Sequence, residues 1–144
     1  MANIARIDVR LLTGTKNGIG SEGPGTDGDV YIGIAGREFF IDTTADDFER
    51  GADKNYVLGD GANVNFREFN DPREPQLSTD DLGKFPVYLR FEPGGSNPDW
   101  NVERVRVTVN PGRSEIRFDN VRLAGLPDIW LGQRMGKTVH LTRV

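Results

Sequence analysis

The chain contains no cysteine and a single histidine, His140. The first absence excludes a disulfide scaffold, a Cys-ligated zinc or iron–sulfur site, and thiol catalysis. The second removes any poly-His metal site and leaves His-dependent catalysis one residue to work with. A basic excess is missing too, since 22 acidic residues outnumber 18 basic ones for a net charge of −4. Residues 1–100 carry 10 basic and 18 acidic side chains, whereas residues 101–144 carry 8 and 4. Phosphate backbones need a concentrated basic surface, so nucleic acid is not an expected partner. Apolar runs are only a few residues long, too short to cross a bilayer as a helix. The opening Met1-Ala2-Asn3-Ile4-Ala5-Arg6 has no charged region followed by an apolar stretch. As written the chain is therefore expected to be cytoplasmic, or extracellular if a signal or parent chain is missing.

What is present is alternation. Ala5, Ile7, Val9 and Leu11 interleave with Arg6, Asp8 and Arg10, the pattern of a half-buried strand. Val30, Ile32 and Ile34 repeat it, and Phe39–Ile41 follows as a short apolar stretch. The same period runs through Val87–Phe91, Val102–Val109, Ile116–Phe118 and Val139–Leu141, with weaker candidates at Asn55–Leu58 and Ile129–Leu131. No window longer than ten residues has a 3.6 spacing. Seven to nine short strands between Gly, Pro, Asn and Asp turns predict an antiparallel sandwich. The 144 residues suffice for one domain that buries roughly 68–70% of its unfolded surface.

Two segments interrupt the rhythm. Thr13–Asp29 holds six glycines, and Asp60–Lys84 is a polar stretch of 25 residues. A loop that long in a small domain is functional, mobile, or a tolerated surface insertion. Acidic residues crowd the window from Glu22 to Asp53, where nine carboxylates face only Arg37 and Arg50. Loops at one end of a sandwich come together, so Asp27, Asp42, Asp46 and Asp47 can converge. Ca²⁺ takes six to eight oxygen ligands from carboxylates and carbonyls on such loops. A solvated acidic turn explains the same composition without a metal.

Several blocks carry a family resemblance. Leu12-Thr13-Gly14 followed by Gly23-Pro24-Gly25-Thr26-Asp27-Gly28-Asp29-Val30-Tyr31-Ile32 resembles the opening of PLAT domains, the polycystin/lipoxygenase/alpha-toxin type. Asp46-Asp47-Phe48-Glu49-Arg50-Gly51 looks like that family's Asp-Phe segment. Val87–Arg90, then Pro98-Asp99-Trp100, then Val105–Val107 matches its strand, loop and valine-rich strand. From Ile129-Trp130-Leu131 onward the chain most resembles the C-terminal domain of clostridial alpha-toxin phospholipases. The resemblance implies an all-β, antiparallel eight-stranded sandwich, one PLAT-like domain over residues 1–144 with a long polar loop at 60–85.

It also implies Ca²⁺ as cofactor. One ion would take the Gly25 carbonyl, Asp99 and the Trp100 carbonyl. A second would take Asp42 and Asp47 with the carbonyls of Thr43 and Ala45. A third, weaker one would use Thr26, Asp27, Asp46 and Asp47. Gly23 stands where the family has an aspartate, which weakens the first site unless Glu22 swings in, and Asp53 is displaced by one with Lys54 after it. Lipid-binding members insert aromatic side chains at the interface, and here Phe66, Phe69 or Trp100 are the candidate membrane or partner contacts. The function implied is a non-catalytic calcium-binding module for lipid-surface or protein association. The alternative is a metal-independent structural or protein-interaction module.

Enzyme readings find little support in the residues. His140 lies between Val139 and Leu141 on an expected strand. None of the four serines sits in a Gly-x-Ser-x-Gly context. Adjacent Asp80 and Asp81 cannot oppose each other across a glycosidic bond. Gly18-Ile19-Gly20 is not followed by a helical pattern, as a dinucleotide loop requires.

Overall fold

The alternating segments form two antiparallel sheets in a computed structural model that describes residues 2–18, 23–120 and 129–144. The strands are β1 (Arg6–Thr13), β2 (Asp29–Ile34), β3 (Arg37–Ile41), β4 (Asp53–Gly59), β5 (Tyr88–Glu92), β6 (Trp100–Val109), β7 (Ile116–Asp119), β8 (Ile129–Leu131), β9 (Thr138–His140) and β10 (Thr142–Arg143). One sheet has the order β10-β7-β6-β1-β4, with β8 also paired to β6, and the other has the order β3-β2-β5-β9. Ten strands are thus present among the described residues, not the eight expected. The strand that no alternation announced, β10, is two exposed residues paired to Phe118 and Asp119, too short to leave a signature.

Alternation puts one face of each strand inside. Ile7, Val9, Leu58, Val105, Val107 and Val109 of the larger sheet face Val30, Ile32, Phe39, Ile41, Leu89 and Phe91 of the smaller, all at 0% exposure. Burying each such side chain contributes about 1.5–3 kcal/mol relative to leaving it in water. The outward arginines of the larger sheet are met by acids: Asp119 accepts from Arg104 at 2.7 Å and lies 3.4 Å from Arg106. Burial raises the Asp119 pKa, but the Arg104 and Arg106 guanidiniums and the Asn120 backbone together hold the carboxyl below its ordinary value.

The 60–85 segment is a strap that covers two sheet edges. Edge strands expose unpaired N–H and C=O groups that must be covered or blunted. Asn63 serves β4, its Oδ1 accepting the Val57 N–H at 2.8 Å and its Nδ2 donating to the Asn55 carbonyl at 3.0 Å. Asn70 serves β3, accepting the Phe40 N–H at 2.7 Å while its Nδ2 donates to the Phe66 carbonyl at 3.0 Å. Arg37 donates to the carbonyls of Asp71 and Phe69, and Val64 and Leu82 are buried beneath the strap.

Removing the Asn70 amide leaves the Phe40 N–H without its acceptor. Asn70→Ala is expected to lower unfolding stability by roughly 1–3 kcal/mol, the cost of an unsatisfied part-buried group. Hydrogen exchange at the Phe40 amide should quicken in step, and unchanged exchange would show that the strap does not cap β3.

Candidate functional site

Strand directions bring the β1–β2, β3–β4, β5–β6 and β8–β9 loops to one end of the sandwich. There Thr26, Asp27, Asp42, Ala45, Asp46 and Asp47 line a shallow cavity of about 170 Å³, joined by Asp29 and Phe48. Six of the ten residues expected to hold calcium are therefore together. The loops are tied by backbone contacts: the Thr26 N–H donates to the Phe48 carbonyl at 3.1 Å, and Thr26 Oγ1 to the Asn97 carbonyl at 2.7 Å.

Three of the five cavity aspartates, Asp47, Asp42 and Asp27, accept hydrogen bonds from protein donors. Asp47, only 7% exposed, is the most enclosed. Its oxygens accept the Thr43 N–H at 2.8 Å, the Thr43 hydroxyl at 2.9 Å, the Tyr56 hydroxyl at 3.1 Å and Lys54 Nζ at 3.1 Å. Burial, then Asp47, push the Tyr56 hydroxyl far up, so it stays a donor. Asp42 accepts from Asn65 Nδ2 at 2.9 Å, and Asp27 from Ser96 Oγ at 3.1 Å and Asn97 Nδ2 at 3.3 Å. Glu49 has the opposite problem: hydrogen bonding with Asp46, then burial and the Asp46 and Asp27 charges, raise its carboxyl above the ordinary value.

A hard cation needs oxygen donors and uncompensated negative charge. The lining supplies both, with five aspartates in the cavity and Lys54 as the cation paired to one of them. The donor chemistry fits calcium. The side chains do not converge into a ready cage, however: among the described residues no three His, Cys, Asp or Glu side chains group as metal ligands. Lys54 takes the place of a cation at Asp47.

The remaining expected residues do not line this cavity. Gly25 packs against the Phe48 carbonyl and the Glu49 carboxylate, and Thr43 serves Asp47 through its N–H and hydroxyl. Asp99 lines a separate cavity on the other side of the β5–β6 loop and accepts the Gln133 N–H at 3.3 Å. Glu22 lies outside the described residues. Trp100 is not an interfacial anchor, being fully buried with Nε1 donating to Thr13 Oγ1 at 2.9 Å. The indole packs between Phe48 and Phe91, centroids 5.2 and 5.6 Å away, because it fills the space between the sheets. Phe66 and Phe69 are exposed at 56% and 71%, and Phe66 follows the Asn65 that bonds Asp42, on the flank of the acidic end. The residues that sequence reasoning missed here are Lys54 as a partner of Asp47, with Tyr56, Asn65, Ser96 and Asn97. Only Tyr56 had a signal, its inward register with Leu58.

No family model matches the chain, and no curated protein sequence does either. Solved structures do match. Alpha-toxin of Clostridium absonum superposes with a TM-score of 0.60 at 18% identity, covering 97% of this chain and 32% of the toxin. Alpha-toxin of an avian Clostridium perfringens strain gives 0.60 at 19%, covering 98% and 32%. Coral 8R-lipoxygenase gives 0.55 at 20%, covering 96% and 17%, and for that enzyme calcium activation through a C2-like domain is described. The chain has a PLAT-like fold. This PLAT-like sandwich spans a third or less of each of those chains.

The crowding at Asp46 and Glu49 generates a prediction. A carboxyl raised in the folded state contributes stability while protonated and loses it as pH rises from its unfolded value through the raised folded one. Metal-free Asp46→Asn is therefore expected to melt higher than the parent at pH 7, by the roughly 0.2–1 kcal/mol of an exposed charge pair, with the gain vanishing near pH 4. A gain of equal size at both pH values would assign it to something other than charge.

Proposed function

We propose that this PLAT-like sandwich is a non-catalytic module that binds calcium at its acidic loop end and associates there with a lipid surface. The single observation that carries the reading is the collection of Asp27, Asp42, Asp46 and Asp47 from two separate loops into one cavity with one lysine to offset them. The proposed ion is held by those carboxylates with the Thr43 and Ala45 carbonyls. Gly25, Asp99 and the Trp100 carbonyl are left out, because no second carboxylate lines the cavity of Asp99. Calcium supplies charge neutralisation, letting acidic loops approach an anionic headgroup layer that otherwise repels them. Phe66 and Phe69 stand ready to add apolar contact, about 1.5–3 kcal/mol for each side chain buried.

A second reading, a metal-independent protein-interaction module, is favoured by one feature: Asp47 is already satisfied by Lys54, Tyr56 and Thr43. Lys54 therefore decides between them. Thermal melting with millimolar calcium and with chelator is expected to separate by several degrees, since ligand at a hundred times its Kd stabilises by about 2.7 kcal/mol. Lys54→Gln should tighten calcium by calorimetry, because the ion no longer displaces an ammonium, and Asp47→Asn should weaken it most. A shift under about 1 °C in both parent and Lys54→Gln would leave the metal-independent reading standing.

Lipid association is tested by co-sedimentation with anionic vesicles. Binding is expected in calcium and lost in chelator, and Phe66→Ser with Phe69→Ser should weaken it without changing calcium affinity. Equal binding in chelator would reject the calcium bridge.

A further inference from the structure

Beside the acidic cavity, on the other side of the β5–β6 loop, lies a larger one of about 820 Å³. Trp130, Met135 and Pro98 supply its apolar wall, and Asp99, Arg134 and Asn17 its polar groups. A concave, largely apolar cavity with a few convergent polar groups is the usual form of a small-ligand site. The loops that build it are shaped for close approach. A Cβ on Gly132 would fall 2.0 Å from Asp99 Oδ1, so only glycine lets the carboxylate lie against that turn, where the Gln133 N–H holds it at 3.3 Å. A Cβ on Gly18 would fall 3.0 Å from the Trp130 indole, which packs directly on the backbone. The turn bearing Gln133, Arg134 and Met135 is closed by the Met135 N–H on the Gly132 carbonyl at 3.4 Å and the Gly132 N–H on the Gly136 carbonyl at 3.3 Å.

Among the described residues the charges in this cavity form no ion pair with each other or with a neighbour. Among the described residues Asp99 makes no ion pair, in a molecule whose other sheet and strap acids pair repeatedly with arginine. Arg134 makes none either. A carboxylate and an indole lining one cavity are the recognition chemistry of an organic ammonium: the ring quadrupole attracts the cation, and the carboxylate neutralises it. Arg134 in the same cavity would repel a bare cation and attract an anion, by forked hydrogen bonds to carboxylate or phosphate.

We propose that the Trp130–Asp99–Arg134 cavity binds a zwitterion, an alkylated ammonium tethered to an anionic group. The ammonium rests on Trp130 against Asp99, and the anion meets Arg134. The site is independent of calcium, and its ligand comes either free in solution or as the exposed headgroup of a zwitterionic lipid.

The probes are choline, phosphocholine, glycine betaine and inorganic phosphate, titrated into the whole chain in chelator so that failure of the calcium reading leaves the result untouched. Intrinsic fluorescence reports Trp130, because Trp100 is sealed in the core. Saturable changes are expected with phosphocholine or glycine betaine, at least tenfold tighter than with choline or phosphate. Asp99→Asn should weaken the zwitterion tenfold or more. Arg134→Gln, at an exposed position with no bond to another described residue, should bring the zwitterion down to the affinity of choline and leave choline unchanged or tighter. Trp130→Phe, followed by calorimetry, should weaken both ammonium probes. Absence of a saturable response up to tens of millimolar in the folded parent would overturn the proposal. Equal affinity in parent, Asp99→Asn and Arg134→Gln would do so as well. Competition of bound phosphocholine by phosphatidylcholine vesicles would assign the source to a lipid headgroup, and absence of competition to a soluble zwitterion; either supports the site.

Discussion

The Asp47 carboxylate is the point on which the loop end depends. It is nearly buried, and a buried charge is tolerated only where partners replace the water it has lost. Here the core itself supplies one partner: Tyr56, pointing inward from β4, raises its hydroxyl to Asp47 from a ring that packs on Phe48 at 5.8 Å. Phe48 adopts a positive φ of 62°, rare for a bulky residue, and its ring joins Trp100 in the core while its carbonyl receives Thr26. One short segment, Asp47-Phe48, thus nails the β3–β4 loop to the inter-sheet aromatic cluster and the β1–β2 loop to both. The acidic cavity inherits its position from that aromatic packing.

The same economy appears on the flank. The strap climbs from the end of β4 to Asn65, which meets Asp42 at the acidic end, and returns along β3 to Arg37. Two asparagines do for the sheet edges what further strands would otherwise do. Because the strap is fastened at Asn63, Asn65 and Asn70, Phe66 is held at a positive φ of 53° and packs at 6.4 Å on Phe40, half of it left in water. An exposed aromatic held in an uncommon backbone conformation costs stability that the surrounding bonds must offset.

Period-two alternation made the strands legible, because a half-buried strand prints its burial directly on the chain: Val9, Val107 and Ile32 needed no further context. Ile129–Leu131 was weakly legible for the same reason, since three residues hold barely one period. Trp100 resisted, because an aromatic at a loop–strand junction reads equally as anchor or core; only the partner strands reveal that Thr13 and Phe91 enclose it. The acidic residues announced a charge excess but not its arrangement. Which carboxylate is taken by Lys54, Asn65 or Ser96 depends on loops that meet only in space. The strap was invisible as such, since Asn63 and Asn70 read as ordinary loop polarity until the edges they cover are known.

The two cavities of the loop end differ in kind because the β5–β6 loop divides them. On one side its Ser96 and Asn97 reach Asp27 and close the acidic group; on the other Pro98 and Asp99 face Trp130. The first side concentrates like charge, offset at Asp47 by Lys54. The second sets one carboxylate, one guanidinium and one indole around a largely apolar hollow. A divalent ion suits the first and is poorly served by the second, which offers a single carboxylate. An organic ammonium suits the second and would find no aromatic face among the aspartates. The difference in charge between the two sides of one loop end follows from where four consecutive residues, Ser96 to Asp99, point.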